Sequence, residues 1–133
     1  MPETAGATTI TPHLSPTALA VYRATAERRA TEAMRELAAR RARAQEVAQQ
    51  AAALLKEQFG ATQVVVFGST VHGHWFTATS DIDLAARGLA PDDYFTAVAR
   101  LQDLSPEFKV DLVAVERCKA ALRESIAREG VIL

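Results

Sequence analysis

The chain has 133 residues, 49% of them hydrophobic, which is enough for one domain of ordinary size with a buried core but too little for two full domains. Its formal net charge of −1 gives no general argument for binding nucleic acid or an anionic membrane, so we expect neither as a partner. Cys118 is the single cysteine, which excludes an intramolecular disulfide and fits a reducing cytoplasm. No apolar run is long enough for a membrane span, and the first residues lack the basic start and apolar core of an export signal.

A single long helix is predicted to follow a short tail. Residues 1–14 mix Thr, Pro, Gly and Ala without a period and predict a disordered tail. Ser15 and Pro16 suit an N-cap and the first helical position. No glycine or proline then interrupts the good helix formers up to Phe59, and Gly60 supplies a stop. We therefore predict one helix of about 43 residues, or two helices with a bend.

This helix carries a narrow stripe of small residues in alternating steps of four and three. The stripe consists of Ala26, Ala30, Ala33, Leu37, Arg40, Ala44, Val47, Ala51 and Leu54. Because alanine buries little area, a coiled coil formed by this stripe alone would be weak. We predict a helical extension over residues 15–44 and a main domain over 45–133, in which residues 45–59 pack on a sheet through Val47, Ala51, Leu54 and Leu55.

Charge is unevenly distributed along the chain. From Arg23 to Arg43, seven arginines against three glutamates give +4, whereas residues 44–133 hold eight basic and twelve acidic residues, or −4. The densest basic cluster is Arg40-Arg41-Ala42-Arg43. It could form a solvated helix face, dock to an acidic partner protein or contact nucleic acid, and the last is disfavoured by the lack of overall basicity.

Two aspartates follow a strand and a glycine-serine turn. The apolar run Val64–Phe67 leads into Gly68-Ser69, and an eleven-residue spacer then leads into Asp81-Ile82-Asp83 at the start of a second apolar strand. Residues two apart on a strand share a face, so both carboxylates point the same way. Mg²⁺ binds through one or two carboxylates together with substrate phosphates. The pattern therefore predicts nucleotide chemistry.

A third strand carries one acid in its interior. Residues 109–115 read KVDLVAV and place Asp111 in an apolar run. Aspartate is depleted in strands and rarely buried without a partner, so convergence of Asp81, Asp83 and Asp111 on metal would explain all three. Gly68-Ser69 alone would be an ordinary turn after a strand. Together with the three aspartates it predicts a phosphate and metal site.

The spacer between the two motifs has two interpretations. In one, Trp75 stacks on a base and a histidine, His72 or His74, meets phosphate. In the other, which we favour, Trp75 and Phe76 simply pack the loop, because large aromatic side chains often anchor loops. The spacer contains no lysine or arginine, so Arg87 is the nearest basic residue in sequence that could help to neutralise phosphate.

The remaining elements complete a mixed domain. We predict a helix from Pro91 to about Asp103, a final helix over 116–129 ended by Gly130, and a short edge strand over 131–133. This order of elements predicts an α/β (α+β) fold, with a small mixed β-sheet flanked by helices and preceded by the long N-terminal helix.

The motifs FGST, SDIDLA and KVDLV, in this order, resemble the DNA polymerase β-like nucleotidyltransferase superfamily, and within it the minimal nucleotidyltransferase (MNT) branch. The resemblance implies a nucleotidyltransferase fold and a role for each motif. Gly68 and Ser69 would bind the triphosphate of ATP. Asp81, Asp83 and Asp111 would be the catalytic residues and would bind two Mg²⁺ ions.

The resemblance, which covers roughly residues 45–133, also implies a biological role. Members of this branch are commonly MntA-type antitoxins that transfer AMP from ATP to a tyrosine of a partner HEPN-domain toxin. This implies an adenylyltransferase in a toxin–antitoxin hetero-oligomer. The alternative is a non-catalytic nucleotide-binding antitoxin that neutralises its partner by direct binding through the long helix. A nucleotidyltransferase acting on an antibiotic is a weaker hypothesis, because the chain has little room to bind such an acceptor.

Overall fold

The computed structural model describes residues 14–133, so the predicted disordered tail lies outside the described residues except for Leu14. The chain divides into two units, residues 1–36 and 37–133. The first helix, α1, spans Pro16–Phe59 and belongs to both units. The Ser15 hydroxyl oxygen accepts a hydrogen bond of 3.0 Å from the Ala18 backbone N–H, which confirms the predicted N-cap.

A four-stranded mixed sheet forms the second unit. After α1 the elements are β1 (Gln63–Phe67), β2 (Ile82–Arg87), α2 (Tyr94–Gln102), β3 (Val110–Ala114), α3 (Ala120–Glu129) and β4 (Val131–Ile132). The strand order is β3-β2-β1-β4. Strand β1 is antiparallel to β2 and β4, whereas β2 and β3 are parallel. The predicted small mixed sheet with flanking helices is therefore confirmed.

Alternating side chains divide the core between the two faces of the sheet. The larger cluster joins strand residues such as Val64, Leu84 and Leu112 to the second part of α1 and to α2. The α1 residues buried in it are Ala44, Ala48, Ala51, Ala52 and Leu55. The smaller cluster joins Val65, Ala85, Val115 and Ile126 beneath α3. Packing of residues 45–59 on the sheet is thus confirmed, and their small side chains permit a close approach of helix to sheet.

The described part of the first unit, taken by itself, is helical and polar, with a few large apolar side chains at its surface. Val21, Tyr22 and Met34 are each more than half exposed. Despite the length of α1, no helix within residues 14–133 combines enough length and apolarity to cross a membrane.

Candidate active site

The end of β1 brings the glycine-serine turn against the second aspartate strand. Phe67 is paired with Asp83 in the antiparallel register, and Gly68 follows it with φ +76°. A Cβ atom at Gly68 would lie 2.5 Å from Oδ2 of Asp83. Position 68 therefore requires glycine both for its left-handed backbone and for the space that the carboxylate occupies. The turn and the Asp83 carboxylate form one site.

The third aspartate lies beside Asp83 on the neighbouring strand. Asp83 and Asp111 are partners in the parallel register of β2 and β3, and neighbouring strands are about 4.8 Å apart. Both side chains belong to the face of the sheet that carries the smaller core cluster, since they alternate with residues of the larger one. Asp81 precedes β2 by one residue. The sheet thus places the glycine-serine turn and the three aspartates at the same end of strands β1, β2 and β3.

Burial and charge repulsion both act on Asp83 in this group of acids. Burial, followed by the negative charges of Asp111 and Asp81, raises the pKa of Asp83 from 3.8 to about 6. The Lys109 ammonium lies 3.5 Å from Oδ1 of Asp111. Within residues 14–133, no three His, Cys, Asp or Glu side chains are already gathered as metal ligands. Mg²⁺ needs only one or two carboxylates when phosphates complete its shell, and a cation would relieve the repulsion, so these hard oxygen donors fit it.

The raised pKa of Asp83 predicts a pH-dependent stability. The native state holds this proton more tightly than the unfolded chain, so its contribution to stability is greatest below about pH 4 and falls as the pH rises through about 6. After a discount for solvent screening, we expect Asp83→Asn to gain about 1–2 kcal/mol over wild type between about pH 4 and pH 8. Urea denaturation without divalent cations measures this gain. The exposed Asp92→Asn control should show none, and an equal response of the two variants would contradict the prediction.

Only one of the two aromatic residues that we predicted to anchor the spacer is buried. Phe76 is 3% exposed and belongs to the core, as predicted. Trp75 is 60% exposed, so the prediction that it packs the loop is wrong. Its ring centroid instead lies 5.1 Å from that of His72 and 4.6 Å from that of His74. Burial of Phe76 is enough to fix the loop, which leaves Trp75 at the surface.

Arg87 lies at the wrong end of its strand to serve phosphate. It is the last residue of β2 and is paired with Gln63, whose side-chain oxygen accepts a 3.2 Å hydrogen bond from its Nε. It lies four positions along the extended strand from Asp83, a distance of about 13 Å. This distance and the hydrogen bond to Gln63 argue against the role that proximity in sequence suggested.

Sequence reasoning missed two arginines that reach this region from α1. Arg41 donates from Nε to the Thr70 carbonyl oxygen at 3.0 Å and from Nη2 to the Val71 carbonyl oxygen at 2.7 Å. Arg40 donates from Nη2 to the Ser80 carbonyl oxygen at 3.2 Å, and its side chain is 14% exposed. These internal hydrogen bonds contradict the interpretation of Arg40 and Arg41 as a solvated face or as a contact with a partner protein or nucleic acid. One signal was available, because Arg40 lies on the stripe of small residues that becomes buried.

A comparison with protein families matches the part of the chain that contains the three strands of the candidate site. The sequence model of the family described as polymerase beta nucleotidyltransferase matches residues 49–133. No curated protein sequence matches the chain. A minimal nucleotidyltransferase of known structure is 31% identical to it, with a TM-score of 0.53 over 73% of this chain and 95% of the other.

Two toxin–antitoxin crystal structures are also similar in fold. A chain of a toxin–antitoxin with AMP-PNP is 23% identical, with a TM-score of 0.52 over 60% of this chain and 66% of the other. A chain of the toxin–antitoxin MntA–HepT is 20% identical, with a TM-score of 0.51 over 66% of this chain and 69% of the other. The chain thus spans about two thirds of the length of these two chains.

The family match contains all three strands of the candidate site, and the 31% identical relative is described as a minimal nucleotidyltransferase. The matched range contains the mixed sheet, the glycine-serine turn and the three aspartates. The chain is therefore a nucleotidyltransferase that belongs to the polymerase beta nucleotidyltransferase family.

Proposed function

We propose that this nucleotidyltransferase is an antitoxin that transfers AMP from ATP to a tyrosine hydroxyl of a partner HEPN-domain toxin. One observation carries the chemical part of the proposal. The Asp83 carboxylate lies against the Gly68 turn and beside Asp111, so the glycine-serine turn and two acids meet at one point. The similarity of the fold to toxin–antitoxin structures, one of them with AMP-PNP, supports the biological part.

The chain offers complementary groups for Mg-ATP. Backbone N–H groups of the turn Gly68–Thr70 and the Ser69 hydroxyl would hold the triphosphate. Asp81, Asp83 and Asp111 would hold two Mg²⁺ ions, which supply positive charge to the phosphate oxygens when bound. Such binding would also offset the repulsion from Asp111 and Asp81, which adds to burial in raising the pKa of Asp83.

The transfer itself requires positioning and one proton acceptor. The tyrosine hydroxyl oxygen of the partner would attack the α-phosphorus of ATP in line, forming an O–P bond as the bond to the pyrophosphate oxygen breaks. We assign the hydroxyl proton to the Asp111 carboxylate. The Lys109 ammonium lies 3.5 Å from Oδ1 of that carboxylate and would orient it. The products are the adenylylated partner and pyrophosphate.

The long helix is the proposed docking element for the toxin. Its first unit carries exposed apolar side chains at Val21, Tyr22 and Met34 and is close to neutral between Arg23 and Glu36. These side chains suit a partner surface with an apolar centre. The complex would be a hetero-oligomer in the cytoplasm.

ATP labelled at different phosphorus atoms tests the proposed activity. The purified protein, Mg²⁺ and a co-expressed HEPN partner are incubated with ATP labelled either at the α-phosphorus or at the γ-phosphorus. We expect the partner to be labelled from α-labelled ATP only, and mass spectrometry to find AMP on a tyrosine. The double variant Asp81→Ala/Asp83→Ala should give no label. The matched control Asp92→Ala/Asp93→Ala removes two aspartates near the start of α2 and should label normally.

Each other outcome has a definite meaning. Label from γ-labelled ATP would indicate phosphoryl transfer and overturn the assignment. No label from either substrate, with a partner that stays bound and neutralised, would favour the non-catalytic antitoxin.

A further inference from the structure

We infer that Arg40 and Arg41 of α1 are positioning residues of the nucleotidyltransferase site, with Arg41 fixing the phosphate-binding turn and Arg40 fixing the starts of the two aspartate strands. The inference deepens the proposed function and rests on it for the identity of the ligand. It gives the second part of α1 a role in the site that is separate from docking. Neither arginine is placed in contact with the reacting atoms.

Arg41 acts through two peptide groups of the turn. Its Nε and Nη2 bind the carbonyl oxygens of Thr70 and Val71. The N–H groups of those same two peptide units, which belong to Val71 and His72, both donate to the Gly68 carbonyl oxygen, at 3.1 and 3.2 Å. A hydrogen-bonded chain therefore runs from the guanidinium to Gly68, and each link polarises the next. The chain ends at the Gly68 carbonyl oxygen, and the Cα of the same residue faces the Asp83 carboxylate.

The loop is shaped to receive this guanidinium. A Cβ atom at Gly73 would lie 2.7 Å from Nη1 and 2.9 Å from Cζ of Arg41. Glycine at position 73 thus lets the loop backbone approach the face of Arg41. The guanidinium lies between two carbonyl groups and this glycine, which is a built pocket for a planar side chain with several donors. Lysine could reach the same place but could not reproduce the fork.

Arg40 joins the two aspartate strands at their starts. Its Nη2 binds the carbonyl oxygen of Ser80, the residue before Asp81, and its Nη1 binds Oε2 of Glu107 at 3.1 Å. Its Cζ also lies 4.3 Å from the centroid of Phe108, just ahead of β3. The two segments are already linked by a 3.0 Å hydrogen bond from the Ile82 N–H to the Lys109 carbonyl oxygen. Arg40 therefore fixes the spacing of the strands that present the carboxylates.

The two arginines should affect different steps. Loss of Arg41 releases the turn that holds phosphate, so the expected effect is on KM for ATP. Loss of Arg40 disturbs the aspartates that surround the reacting phosphorus, so the expected effect is on kcat. Small displacements of catalytic groups are costly in rate, which makes the distinction measurable.

The test uses the full-length protein and two readouts. We expect Arg41→Gln to bind Mg²⁺ and AMP-PNP at least about tenfold more weakly by calorimetry, because two charged hydrogen bonds are lost. Amide hydrogen exchange of Val71 and His72 should accelerate, while core amides of β1 and β2 stay protected. Arg41→Lys should recover part of both effects. The control Arg29→Gln removes an exposed arginine from the same helix and should change neither.

Amide hydrogen exchange measured without nucleotide distinguishes a failure of this inference from a failure of the proposed function. If wild type fails to bind AMP-PNP, the proposed function falls, and the exchange rates alone decide the role of Arg41. Unchanged exchange at Val71 and His72 in Arg41→Gln overturns the inference whatever the affinity. If Arg41→Gln does not fold, Gly73→Ala displaces the same guanidinium from the opposite side and should give the same local acceleration.

Discussion

Asp83→Asn is expected to lower the rate of AMP transfer about a thousandfold while leaving the fold intact, since several kcal/mol of transition-state stabilisation depend on charge at this position. Asn keeps the shape of the side chain but loses the negative charge that binds a cation. The contact with Gly68 and the register with Asp111 place the change at the centre of the site. Initial rates of label transfer from α-labelled ATP measure the loss, and circular dichroism checks the fold.

The same variant separates stability from catalysis. At about pH 8 the variant should be more stable but less active than wild type. The native state loses stability by keeping the Asp83 carboxylate charged where it is buried and near two other acids, and Asn removes that cost. Asp92→Asn provides the neutral comparison for both measurements. Transfer by Asp83→Asn within tenfold of the wild-type rate would falsify the assignment of Asp83 to the reaction.

Local signals explain why the elements of this chain could be predicted from its sequence. Ser15 caps α1, and Gly60 follows the end of α1 with φ +70°, as the stop signal required. The apolar runs around Asp83 and Asp111 became neighbouring strands because their alternating side chains are buried in the two core clusters on opposite faces of the sheet. In these cases the physical cause lies within a few residues of the feature that it produces.

The missed features depend on contacts that are distant in sequence. Arg41 meets Thr70 and Val71 across roughly thirty residues, and no local pattern distinguishes it from a solvated arginine. Arg87 was a poor candidate for the opposite reason. An extended strand rises about 3.3 Å per residue, so a residue only four positions from Asp83 lies far from it in space. Trp75 and Phe76 are adjacent, and only the packed core selects Phe76 for burial.

The site thus combines a part that is local and a part that is assembled by the fold. The strand-turn-strand motif supplies the chemical groups. The second part of α1 supplies the arginines that hold the turn and the strand starts in place. A substitution where the Gly68 turn meets the Asp83 carboxylate should therefore lower stability and transfer rate strongly, even if it adds only one methyl group.

Gly68→Ala is such a variant, and we expect it to cost about 2–4 kcal/mol of stability and about a hundredfold in transfer rate. Alanine would have to adopt φ +76°, and its methyl group would overlap Oδ2 of Asp83. The carboxylate or the turn must then move. Urea denaturation and label transfer measure the two effects.

Gly60→Ala is a matched control within the same chain. Gly60 has φ +70°, but a Cβ atom there would meet nothing within 4 Å, so alanine should cost only the backbone strain of about 1 kcal/mol. The additional cost at Gly68 should therefore come from Asp83. In an Asp83→Ala background, where the overlapping oxygen is gone, Gly68→Ala should cost no more than Gly60→Ala. If the additional cost persists in that background, the turn is not held against the Asp83 carboxylate, because the cycle removes only that contact.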